Sequence, residues 1–127
     1  MTEKCNDIHC VTHSGFKTHG RIFQGTVISA KAQKTVTVEW ERKKYIPKYE
    51  RYEKRRTKVK AHAPECVMFE KGDVVEINEC RPISKTKKFV VIKKIEKNLE
   101  YLGKSQLIEE AKQKEKKKQE KANSEDK

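Results

Sequence analysis

Ten of the nineteen residues from Arg42 to Lys60 are lysine or arginine, two are acidic, and three tyrosines are threaded among them. The basic residues are Arg42, Lys43, Lys44, Lys48, Arg51, Lys54, Arg55, Arg56, Lys58 and Lys60, and the aromatic ones are Tyr45, Tyr49 and Tyr52. Lysine and arginine neutralise phosphates and release their condensed counterions. A tyrosine ring stacks on an unpaired base or a ribose while its hydroxyl bonds a phosphate. A solvated charged loop would account for any one of these tyrosines, but the density of the whole cluster calls for a counter-charge. Glu50 and Glu53 lie inside it and are expected to space the charge and brace the arginines as internal ion pairs. Pro47 stiffens the segment and disfavours a continuous helix through it.

A second patch, Arg81-Pro82-Ile83-Ser84-Lys85-Thr86-Lys87-Lys88, holds four basic residues and no acid. Ser84 and Thr86 can donate to phosphate oxygens beside Lys85, Lys87 and Lys88. Lys31 and Lys34 make a third, weaker patch. His62 ends a basic strand face, where it either contacts phosphate or caps the strand.

Other chemistries fare less well. Cys5-x4-Cys10-x2-His13, with His9 nearby, has partial metal-ligand spacing, but a structural zinc site needs four ligands, usually from two close pairs. Cys66 and Cys80 are too far apart in the chain to be the second pair and read as small packing groups. The expectation is therefore an extended N-terminal arm with free thiols, no metal and no cofactor. There is no phosphate-binding glycine loop, no Gly-x-Ser-x-Gly and no His-Glu-x-x-His. A chain of 127 residues has little room for a deep enclosed pocket. An enzyme with a small-molecule substrate is not expected.

The net charge of +12 is distributed unevenly. Residues 20–97 carry 21 basic and 10 acidic side chains, whereas residues 98–127 carry eight and seven. The excess lies in the folded middle and not in a basic tail. Nucleic acid is the usual partner of such a domain, and an anionic membrane surface is the alternative. No apolar run approaches the length of a spanning helix, and the first residues begin no signal-like stretch. The reading is a soluble cytoplasmic protein with reduced thiols and no membrane partner.

The middle segment must position the basic patches, and it reads as strands. Val36, Val38 and Trp40 alternate with Thr35, Thr37, Glu39 and Glu41. Residues 20–30 form a preceding strand, with Gly25 at a bend or bulge. Residues 57–63 alternate again. A turn at residues 70–73 leads into Val74–Ile77, and the last strand starts at Phe89 and extends to Ile95. Five short strands with a small core suit a closed barrel. An OB-type barrel fits the strand count and the long loop after the second strand, and an SH3-like barrel would read much the same. The domain organisation expected is an extended arm over 1–19, a barrel over 20–97 and a charged extension over 98–127. The extension is expected to be helical over 104–122, with its last five residues disordered.

The run from Tyr45 to His62, followed by Gly72-Asp73 and by Glu79-Cys-Arg-Pro-Ile-Ser-Lys-Thr-Lys-Lys-Phe89, closely resembles the small-subunit ribosomal protein seventeen family. The Cys-x4-Cys-x2-His leader and the Tyr-x-Arg-Tyr-Glu-Lys-Arg form resemble its archaeal branch, although Val11 stands where archaeal members usually place proline. The resemblance spans about residues 5–95. It implies an OB-type barrel that enters small-subunit rRNA, binds the 5′ domain of that RNA early in assembly, and lies beside other small-subunit proteins. It also implies that Tyr45–Arg56 and Arg81–Lys88 are the rRNA-contacting elements. On that reading, charge reversal at Arg55 and Arg56 weakens assembly far more than at Lys117 and Lys118. The competing reading is a free single-strand nucleic-acid binder of cold-shock type, which requires exposed aromatics on a strand face.

Overall fold

The computed structural model describes residues 5–124. The chain divides into two compact units, one ending at Lys97 and one beginning at Asn98.

The first unit is built on five strands: β1 (Thr18–Ser29), β2 (Thr35–Ile46), β3 (Arg51–His62), β4 (Asp73–Cys80) and β5 (Lys87–Lys97). They close into a barrel in the order β1-β2-β3-β5-β4, with β4 returning to β1. Every pairing is antiparallel except β3 with β5, which is parallel. This is a five-stranded OB-type barrel.

Side chains alternate across each strand, and the inward set is small and mostly β-branched. Val27, Val36, Val38, Ala61, Val75, Ile77 and Val91 are buried in one cluster, with Phe23, Trp40 and Phe89 packed against it. Trp40 stacks on Phe23 at 4.8 Å, and Phe89 meets Phe23 edge-on at 6.1 Å. Gly25 is the close-approach point: a Cβ there would lie 2.6 Å from Val38 Cγ1 and 2.8 Å from the Glu39 carbonyl oxygen. Gly25 itself stays in regular register with Val75, and the shift in the pairing with β2 comes beyond it, between Val27 and Ser29.

The turn before β4 is held by Asp73. Its carboxylate is fully buried, accepts the Glu70 N–H at 2.7 Å and meets Lys94 Nζ at 2.7 Å. Asp73→Ala would strand both donors. The expected loss is about 3 kcal/mol of unfolding free energy, read by urea denaturation at an unchanged slope. A loss under ~1 kcal/mol would show that the carboxylate is dispensable to the turn.

Two expectations need correction here. The segment after the second strand is not a loop. β2 and β3 run 12 residues each and stay paired from Thr35↔His62 out to Ile46↔Arg51. Only residues 47–50 leave the ladder, as a single 3-10 turn over Pro47–Tyr49 closed by Glu50 at φ +48°. The basic residues therefore stand on a two-stranded ribbon. Its hydrophobic alternation vanishes because both faces are solvated, so the period that marks a half-buried strand is missing.

The N-terminal segment is likewise not an extended arm. From residue 5 to residue 17 it turns over the outer face of the barrel. Asp7 and Cys10 are buried, and so is His62, whose strand neighbour Val90 is buried on the same outer face. Residues 1–4 of the expected arm lie outside the described residues.

The second unit is helix α1 (Leu99–Ser124). The Asn98 carboxamide oxygen accepts the Tyr101 N–H at 3.0 Å and caps it. Leu99, Leu107 and Ile108 are exposed. The helix starts earlier than composition alone indicated, and the disorder expected at the end of the chain falls in part on residues 125–127, which lie outside the described set. No described helix is long and apolar enough to cross a membrane.

Candidate nucleic-acid interface

The register of β2 and β3 assigns the ribbon residues to faces. Cross-strand partners share a face, and alternate residues return to it. One face carries the pairs Tyr45↔Tyr52, Lys43↔Lys54, Glu41↔Arg56 and Glu39↔Lys58. The other carries Arg42↔Arg55, Lys44↔Glu53 and Ile46↔Arg51. Arginine faces arginine on one side and lysine faces lysine on the other. Like charges directly opposite destabilise a ladder, and a two-stranded ribbon is marginal even without that load. An anion laid along either face would turn the repulsion into attraction.

The tyrosines crown this surface. Tyr45 and Tyr52 pack against each other at 5.2 Å with their planes tilted 55°, yet both are largely exposed. Tyr49 is exposed at the turn, with the Lys48 ammonium 5.5 Å from its ring centre. Three exposed aromatic rings thus stand among the cations of the ribbon, an arrangement of the kind on which bases can stack.

Some cations are already engaged. Arg56 lies 3.7 Å from Glu39 and 3.8 Å from Glu41, and Lys58 lies 3.6 Å from Glu39. Arg55 pairs with Glu53, and its guanidinium holds that carboxyl below the usual carboxylate range. The bracing expected of Glu53 is thus present, whereas Glu39 and Glu41, on the strand, were not expected to share in it.

The second patch has its own scaffold. Ser84 Oγ accepts the Lys87 N–H at 3.2 Å, and the Ile83 N–H reaches the Lys87 carbonyl at 3.0 Å. Arg81 lies over the Phe16 ring at 5.1 Å. The Lys87 ammonium donates to Thr35 Oγ1 at 3.0 Å, which ties this loop to the β1–β2 turn bearing Lys31 and Lys34. Lys34 pairs with Glu65 at 2.8 Å. Lys31, Lys85, Thr86 and Lys88 are exposed, while Lys87 is half-buried and turned toward the barrel.

His62 does not belong to this surface. It is 3% exposed, and its Nε2 is 2.7 Å from Asp7 Oδ2 beneath the N-terminal segment. The expectation of a phosphate contact there is corrected, because a polyanion has no access to the ring. The strand alternation that placed it on an outer face was sound; the segment covering that face was not legible.

Cys66, expected from the sequence to be a small packing group, has other neighbours. The fold brings it to Cys5, Cys10 and His13, so that one ligand atom from each lies within 4.8 Å of the others. Cys10 Sγ is 3.4 Å from His13 Nδ1 and 3.7 Å from Cys66 Sγ. Burial raises the Cys10 thiol, but hydrogen bonds from the His13 backbone and ring and from Cys66 outweigh it and bring the pKa down to about 7. Burial and the same contact push Cys66 up to about 12. The expectation of no metal rested on counting ligands close in sequence, and that count was incomplete.

Fold and surface together define a basic OB-type barrel protein with an exposed, lysine- and arginine-rich two-stranded ribbon. The model of the family described as ribosomal protein S17 matches residues 25–93, which takes in most of the barrel. The small ribosomal subunit protein uS17 of Methanocaldococcus jannaschii is 50% identical over 92 residues, covering 72% of this chain and 79% of the relative. Those of Methanococcus vannielii and Methanococcus maripaludis are 50% and 51% identical over 96 residues, each covering 76% of this chain and 87% of the relative. The chain belongs to the ribosomal protein S17 family, and its relatives place it with the archaeal type.

Proposed function

We propose that this chain is a structural component of the small ribosomal subunit in the cytoplasm. It binds the 5′ domain of small-subunit rRNA early in assembly and lies beside neighbouring small-subunit proteins. The ribbon of β2 and β3 is the principal RNA contact and the Arg81–Lys88 loop the second. The role is binding and ordering of RNA rather than catalysis.

One observation carries this reading: the ribbon projects like charges face to face and exposes its tyrosines, a combination unfavourable in the free protein and favourable against folded RNA. Family membership supplies the ribosomal context. Lys43 and Lys54, two cations beside Tyr45 and Tyr52 on one face, suit a phosphate backbone flanked by an unstacked base.

Sedimentation of cell extract on sucrose gradients at high and low magnesium tests it. The protein is expected to travel with small-subunit rRNA through subunit dissociation. If it stays at the top of the gradient under both conditions, it is a free nucleic-acid binder and the family resemblance describes its fold alone.

A further inference from the structure

The cysteines of the N-terminal segment meet the β3–β4 loop at a point that RNA binding does not explain. Three sulfur atoms and one imidazole nitrogen converge there, from Cys5, Cys10, Cys66 and His13. We propose that these four residues form a structural zinc site that fastens the N-terminal segment to the β3–β4 loop.

The spacing fits the ion. A tetrahedral zinc holds sulfur at about 2.3 Å and nitrogen at about 2.0 Å, which sets the ligand edges at about 3.8 Å between sulfurs and about 3.5 Å between sulfur and nitrogen. The observed edges are 3.7 Å for Cys10–Cys66 and 3.4 Å for Cys10–His13. All four cysteines are free, and a disulfide would need its sulfurs near 2.05 Å. Three thiolates and one imidazole are a closed donor set of the structural kind, with no position left for water or substrate. Binding releases the protons of whichever thiols are still protonated, and the ion takes their place.

The backbone is shaped to deliver these ligands. The Cys10 N–H bonds the Asp7 carbonyl at 3.2 Å, and the Ser14 N–H bonds the Cys10 carbonyl at 3.1 Å. The Ser14 hydroxyl donates to the carbonyl oxygens of Ile8 at 2.7 Å and Cys10 at 2.6 Å. This tight turn presents Cys10 and His13 together. Cys66 sits in a second turn, in which the Val67 N–H reaches the Pro64 carbonyl at 3.4 Å. The segment buries few apolar groups, so a cross-link between residues 56 apart would fix it where packing is thin.

A neighbouring group, Asp7, His9 and His62, is a weaker candidate. Asp7 Oδ2 and His62 Nε2 already meet at 2.7 Å, and that hydrogen bond leaves no space for an ion between them.

The test uses the full chain without RNA, so its outcome is separate from the ribosomal reading. The protein is purified reduced and without chelator, its zinc is measured by plasma mass spectrometry, and cobalt(II) is then exchanged in. One zinc per chain is expected, as are thiolate-to-cobalt charge transfer in the near ultraviolet and the visible bands of a tetrahedral site. Cys66→Ser should lose both signals while Cys80→Ser keeps them. A folded, reduced wild-type chain that holds no zinc and gives no cobalt bands would overturn the proposal. So would a Cys66→Ser variant that binds the metal as tightly as wild type.

Discussion

Replacing Lys43 and Lys54 together with alanine is expected to weaken binding to small-subunit rRNA roughly 30-fold and to lower the slope of log affinity against log salt by about 2, one per lysine. The two lysines face each other across the ribbon and both are exposed. Their removal relieves a like-charge pair, so the free protein should gain a few tenths of a kcal/mol. Loss of affinity with a slight gain of stability is a signature that general unfolding cannot imitate. The same change at Lys116 and Lys117, exposed on α1, should leave both quantities near wild type. Arg55 and Arg56 are less informative positions. Their reversal weakens binding too, but it also breaks contacts with Glu53, Glu39 and Glu41 in the free protein. Equal effects of the ribbon and helix changes would refute the assignment of the ribbon.

Trp40→Ala should do the opposite. The indole stacks on Phe23 and packs against the valine core at the level where the ribbon leaves the barrel. Truncating a large buried aromatic costs about 3–5 kcal/mol, a large part of the stability of a small domain. Here the side chain is only partly buried, so about 3 kcal/mol is expected from urea denaturation. Tyr52→Ala, 70% exposed, is the contrast: it should cost little stability and about 1–3 kcal/mol of RNA affinity if a base stacks on the ring. A Tyr52→Ala protein that binds RNA as wild type does would remove the stacking role.

The barrel was legible wherever one face of a strand is buried. Val36, Val38 and Trp40 alternate with polar residues, and Gly25 marks a close approach, because burial and close approach write themselves into residue type. The ribbon was legible as chemistry and not as structure. Lysines, arginines and tyrosines announced the anion, but with both faces wet no alternation announced the strands. The covered outer face was hidden for another reason. His62 and Asp7 meet across 55 residues, and Cys10 and Cys66 across 56, and no local pattern records a partner so distant. The unpaired cysteine after β3 was the available signal: read together with the Cys-x4-Cys-x2-His leader, it supplies the fourth ligand.

In the proposed role, the ribbon of β2 and β3 lies on RNA in the assembled subunit. Ultraviolet crosslinking of purified small subunits, with the linked peptides mapped by mass spectrometry, tests it most directly. RNA adducts are expected on Tyr45, Tyr49 or Tyr52 and on the Arg81–Lys88 loop, with few on α1. Adducts confined to α1, with the ribbon peptides recovered unmodified, would contradict it.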